Sequence, residues 1–210
     1  MSRLPLVLLL GLTLGFAACG DGGGQDRATP TTAAQPSPTA ATSRRTDIPE
    51  VDAVLDAVES GDPDRVSALL RFTPILCEPS TPYFHCGLDH EGSLVDVIPI
   101  SICEEALSDR HGVDAYLRAT LVDPALYGVY KAPPGLEQRT YGVYPPAEYI
   151  AVFSRQPLAG REVLAVAIDR GEIVKVFFAT PFPPSTCAST PAEIVAALGL
   201  EDAILPPVDR

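Results

Sequence analysis

Residues 149–179, YIAVFSRQPLAGREVLAVAIDRGEIVKVFFA, decide the fold. Three runs rich in β-branched and aromatic residues, Tyr149–Arg155, Glu162–Asp169 and Glu172–Ala179, are separated by turn signals at Pro157–Gly160 and at Arg170-Gly171. That pattern predicts an antiparallel meander. In the second strand Val163, Ala165 and Ala167 point one way and Leu164, Val166 and Ile168 the other. A strand apolar on both faces belongs to a sheet covered on both sides. Helices can cover one side. The other must meet a further helix, a ligand or a second subunit.

Downstream of the meander, Thr190 and Glu193 have capping-box spacing around Pro191, and Gly199 follows eight residues of helical pattern, which predicts a last helix. Upstream, Leu126–Lys131 reads as a short strand, followed by a polar Pro/Gly stretch to Tyr144. Cys103 to Leu121 reads as helical, with Leu107, Tyr116, Leu117 and Leu121 at apolar spacing and Gly112 breaking it in two. Leu94–Ile100 reads as a strand interrupted by Pro99, and residues 72–93 as a long loop with three prolines and two cysteines. Two amphipathic helices open the domain. Asp47 and Glu50 are spaced as a capping box before Val51, Val54, Leu55 and Val58; after Gly61, Asp62 and Pro63 start a second helix carrying Val66, Leu69 and Leu70. The expected fold is α+β, with N-terminal helices packed on a curved antiparallel sheet in one domain, residues 47–210.

This order of elements resembles the NTF2-like (SnoaL-like) cone fold. Val54-Leu55-Asp56-Ala57-Val58-Glu59-Ser60-Gly61-Asp62-Pro63-Asp64 is similar to that superfamily's first-helix ending, and Asp169-Arg170-Gly171-Glu172-Ile173-Val174 to its final hairpin. The resemblance implies a curved sheet wrapped around a helix, leaving a conical pocket. It leaves function open, because the superfamily includes enzymes and non-catalytic binding or dimerisation domains. The long loops, four cysteines and a helix after the last strand depart from the usual pattern. A different α+β sandwich is the alternative.

The N-terminus carries an address. Arg3 precedes an apolar run from Leu4 to Phe16 that is too short to span a bilayer, and Ala17-Ala18 suit a cleavage site. Phe16-Ala17-Ala18-Cys19 resembles a bacterial lipobox, with Phe16 where Leu is usual. The resemblance implies removal of a signal peptide (residues 1–18), a lipid on Cys19, and a chain held on the extracytoplasmic face of the cell membrane. The alternative is an ordinary secretory signal followed by a chance cysteine. Residues 19–46 then form a tether of Gly, Thr, Pro, Ala and Ser, expected to be disordered because it has no large apolar side chains to bury.

The chain has five cysteines. With Cys19 lipidated, Cys77, Cys86, Cys103 and Cys187 remain, an even set that in an exported domain predicts two disulfides with three connectivities open. Cys77–Cys86 with Cys103–Cys187 is favoured, one closing a short loop and the other tying the middle of the chain to its end. The formal net charge is −12, from 27 acidic and 15 basic residues, and there is no basic patch. Nucleic acid is therefore a poor partner.

Candidate chemistry is sparse. His85, Cys86, Asp89, His90 and Glu91 are metal-type ligands on one loop, but no metal-binding spacing is present, oxidised cysteines cannot ligate, and no metal or other cofactor is expected. General acid–base work would fall to Asp96 or His111, whose bland readings are an outward strand residue and a helix-end residue. No nucleophile motif occurs, and Glu104-Glu105 would hold back a Cys103 thiolate. Tyr127, Tyr130, Tyr141 and Tyr144 flank the Pro-rich stretch and could line a binding surface or cover a sheet edge. The expectation is a non-catalytic module that takes a small apolar ligand, an envelope protein or a second copy of itself. The alternatives are a hydrolase or isomerase using Asp96 or His111, and an inhibitor presenting the Cys77–Cys86 loop.

Overall fold

The meander forms where the alternation places it. The structure, a computed structural model, describes residues 44–78, 91–102, 104–136, 146–155, 162–179 and 190–208. In chain order these build α1 (Pro49–Glu59), α2 (Pro63–Ser67), β1 (Thr73–Leu76), β2 (Leu94–Ile102), β3 (Glu104–Ser108), α3 (Arg110–Thr120), β4 (Ala125–Lys131), β5 (Tyr149–Arg155), β6 (Glu162–Asp169), β7 (Glu172–Ala179), α4 (Pro191–Leu198) and β8 (Ala203–Leu205). The architecture is mixed α/β, one large sheet with a few helices.

The sheet has eight strands in the order β1-β2-β7-β6-β5-β4-β8, with β3 paired to β2 off that path. Its pairs are antiparallel except β2 with β7, which run parallel at Ile100↔Val176 and Ser101↔Phe177. That junction joins the early hairpin to the late meander. It makes one sheet out of both ends of the domain.

Each face of the sheet has its own core. On one, Val51, Val54, Leu55 and Val58 of α1 and Val113 and Leu117 of α3 pack among Phe153, Leu164, Val166, Ile168 and Phe178. The helical spacing of the α1 residues puts them on one stripe, which the sheet buries. On the other face, Ile150, Val152, Val163, Ala165 and Phe177 lie under Leu136, Ile194 and Leu200. Each fully buried Val, Leu or Phe side chain contributes about 1.5–3 kcal/mol. The second apolar face thus meets a helix of the same chain, α4. Thr190 and Glu193 form the reciprocal capping box at its start, at 3.1 and 3.2 Å, and Gly199 closes it at φ 67°. No helix among the described residues is long and apolar enough to cross a membrane.

Several elements differ from the sequence reading. Residues 104–108 are a strand, held in a hairpin by β2 through Ile98↔Ser108 and Ile100↔Ala106, although their composition favours helix. Gly112 does not break a helix. Its N–H donates to the Asp109 cap at 2.7 Å in the first turn of α3, and a Cβ there would sit 2.3 Å from Ser108 Oγ. Pro99 lies inside a strand that runs on to Ile102, and Thr73–Leu76 form β1 inside the segment read as a loop. Asp47 and Glu50 do not cap α1. Ile48 is its N-cap, Asp47 turns at φ 64°, and Asp52 accepts from Thr46 N and Oγ1, both at 2.8 Å. Arg44–Thr46, read as the end of the tether, are hydrogen-bonded to the domain.

Candidate functional site

The β1–β2 hairpin sorts its residues by strand alternation. Ile75, Val95 and Val97 turn inward with Leu107 and Cys77 to form a small separate core. Leu76 and Leu94 stand directly opposite each other on the outward face, as do Pro74 and Asp96. Leu76 is 50 % exposed and Leu94 73 %. Directly opposed side chains in an antiparallel pair lie about 5 Å apart, so the two leucines form one apolar patch.

The patch sits at the foot of the segment that carries the first cysteines. Cys77 is 1 % exposed and disulfide-bonded. Its N–H donates to Ser93 O at 2.9 Å and its carbonyl accepts from Gly92 N at 2.8 Å, which draws the ends of the intervening segment together. Cys86, Cys103 and Cys187 lie outside the described residues, as do His85, Asp89, His90 and Cys19. Glu91 is exposed. Among the described residues no cluster of metal-type ligands forms.

The two acid–base candidates are not brought together. Asp96 is exposed on β2, across from Pro74, and His111 is exposed in the first turn of α3. The tyrosines divide differently. Tyr130 is buried at 3 % exposure, its ring folded over Gly128, whose added Cβ would lie 2.9 Å from the phenol oxygen. That hydroxyl has no hydrogen-bond partner. Burial pushes its pKa up, the nearby Tyr127 adds to this, and the Arg44 charge opposes it. Tyr127 is partly buried against the same core, and its carbonyl accepts from Val208 N at 3.1 Å. Tyr141 and Tyr144 lie outside the described residues. An open cleft of about 180 Å³ lies nearby, lined by Lys131, Pro133, Pro134, Glu201 and Asp202.

Charged groups elsewhere fasten elements to one another. Arg71 donates to Asp169 at 2.7 Å and to Glu172 at 3.0 Å, clamping the β6–β7 turn to the chain leaving α2. Arg155, 3 % exposed, donates to the Thr120 carbonyl at the last turn of α3, where a cation complements the helix dipole. The exposed leucine pair escaped the sequence reading because residues 72–78 gave no strand pattern to set a register.

No protein-family model matches this sequence, and no curated protein matches it significantly. Among solved structures, the chain is similar to an NTF-2 like protein of unknown function from Burkholderia xenovorans LB400. The two share 14 % identity over 67 % of this chain and 88 % of that one, with a TM-score of 0.34.

Proposed function

We propose that this chain is a membrane-tethered extracytoplasmic lipoprotein whose NTF2-like domain is a non-catalytic module that binds a protein at the envelope. The tether rests on Phe16-Ala17-Ala18-Cys19 and the spacer behind it. The NTF2-like assignment rests on element order: two helices, a hairpin, a helix and an antiparallel meander, with α1 and α3 on one face. Two disulfides, Cys77–Cys86 and Cys103–Cys187, complete the proposal. Cys77 supplies one bonded half-cystine to it.

The observation that carries the binding role is the Leu76–Leu94 pair, exposed beside the Cys77 segment. It favours a protein partner over a small apolar ligand, because the two leucines stand exposed side by side on the outward face of the β1–β2 pair. A second copy as the partner has lost one support, since α4 occupies the face that a dimer could have covered. The placement of Asp96 and His111 on open surface weighs against acid–base catalysis, which needs a group held in a site.

The test uses the full-length chain expressed with its signal. A photo-crosslinking side chain at Leu94, with one at exposed Glu201 as control, is activated in intact cells. Adducts with a defined protein from position 94, lost on Leu76→Asp, support the reading. Equal labelling from both positions, or none, argues against it. Cys19→Ala should move the protein from the membrane to the soluble fraction; if it stays, the anchor is not the Cys19 lipid.

A further inference from the structure

Arg44 and Arg45 grip two different parts of the domain. Arg44 donates to the carbonyl of Tyr127 on β4, at 3.3 Å, and to that of Pro206, just past β8. Arg45 pairs with Asp56 and, at 2.9 Å, with Glu59, both on α1. Partial burial would lower the Arg45 pKa, but hydrogen bonds and charge from Asp56 and Glu59 outweigh it and raise the value. Two adjacent arginines therefore splay apart, one onto the sheet edge and one onto the first helix.

The element Arg44 holds is weakly built. β8 is three residues long, pairs with β4 only through Val129↔Leu205 and Tyr130↔Ala203, and changes register between them. Two flanking bonds extend it, Lys131 N to Asp202 O at 2.9 Å and Val208 N to Tyr127 O at 3.1 Å. Tyr127 O thus accepts from Arg44 and from Val208 together. The unpartnered Tyr130 hydroxyl is buried beside this edge, near Leu205 O at Gly128. An edge strand with so few ladder bonds sits at the low-stability end of a fold.

We infer that Arg44 and Arg45 form a clasp that couples α1 to β8, so that releasing the two arginines unlatches β8 from β4 and opens the sheet edge over Tyr130. The coupling is mechanical and goes beyond the proposed binding role, on which it does not depend. The two arms differ in kind. Arg45 holds carboxylates, an attraction that salt screens, whereas Arg44 holds neutral carbonyls through charge-assisted bonds. Rising ionic strength therefore loosens the α1 arm first.

Hydrogen exchange of the full chain, followed by mass spectrometry, tests the clasp. Arg44→Ala should speed exchange of the Lys131 and Val208 amides about tenfold, the scale of one bond to a charged group, while β5 to β7 exchange as in the parent. Arg45→Ala should speed the same two amides by a smaller factor, which is the signature of coupling through the adjacent arginines. Unchanged exchange at Lys131 and Val208 in Arg44→Ala overturns the clasp. So does equal acceleration in β5 to β7, which would mean general destabilisation, and no response of those amides to Arg45→Ala overturns the coupling.

Discussion

The guanidinium of Arg71 meets the carboxylate of Asp169 at 2.7 Å, joining residues 98 positions apart in sequence. The Asp169 side chain is 7 % exposed and Arg71 19 %, so the bond is largely shielded from water. Around it the backbone doubles the attachment: Arg71 N donates to Ile173 O at 2.9 Å and Ile173 N to Leu69 O at 2.8 Å. Arg71→Ala leaves Asp169 with Arg170, at 3.2 Å, whose side chain is mostly exposed. The expected loss is about 2 kcal/mol, the scale for a shielded hydrogen bond to a charged group. Urea unfolding measures it. A loss under about 0.5 kcal/mol, typical of exposed ion pairs, would show that the backbone bonds alone hold the turn.

Gly112→Ala normally stabilises a helix by up to about 1 kcal/mol. Here it should destabilise, because the new Cβ would lie 2.3 Å from Ser108 Oγ. Ser108 is buried and has little room to move. Adding Ser108→Ala should recover the loss and pass the parent in thermal stability. A Gly112→Ala variant more stable than the parent would refute the steric account.

Tyr130→Phe removes a buried hydroxyl that has no partner. Its expected effect at neutral pH is a gain of about 1 kcal/mol, since an unsatisfied buried group costs that much or more. The pH dependence has a fixed sign. Burial raises the phenol pKa, so the folded chain holds the proton more tightly than the unfolded one. Stability linked to it is complete below the unfolded value of about 10 and is lost as pH rises through the folded value. The variant should lose less stability than the parent between pH 9 and 11, values of about that range bracketing the unfolded pKa. Denaturant titrations at both ends check this, and a variant weakened at pH 7 would contradict it.

Thr190→Ala removes the acceptor for Glu193 N and half of the capping box. A loss of about 1 kcal/mol is expected, as for other N-caps. Because α4 covers the second sheet face, the change should also raise binding of a hydrophobic dye. No change in either readout would mean that Ile194 and Leu200 alone keep α4 in place.

The sequence was readable where local and tertiary preferences agree. In Tyr149–Ala179 the β-branched residues, the turns and the two-sided burial point the same way, and all three strands form as read. Thr190, Pro191, Glu193 and Gly199 likewise delimit α4 by local chemistry alone. Glu104–Ser108 was not readable, because pairing with β2 overrides its helical composition. Thr73–Leu76 was hidden by Pro74 and too short to show alternation. The outward leucine pair depends on the register between β1 and β2, which residues far apart in composition and pattern do not announce. Ile48 as a cap escaped for a simpler reason: Asp47 and Glu50 had the right spacing, but the Asp47 backbone turns the other way.

The parallel join of β2 to β7 has a consequence for how this chain comes into being. A polypeptide that emerges N-terminus first delivers α1 and α2 long before the strands they pack on. Their apolar stripe has no sheet to meet until β5, β6 and β7 have followed. Local hairpins within the meander can close early, but the β2–β7 pair must wait for the intervening chain, and such non-local pairing is slow. During that interval the half-made domain shows the surfaces that favour aggregation.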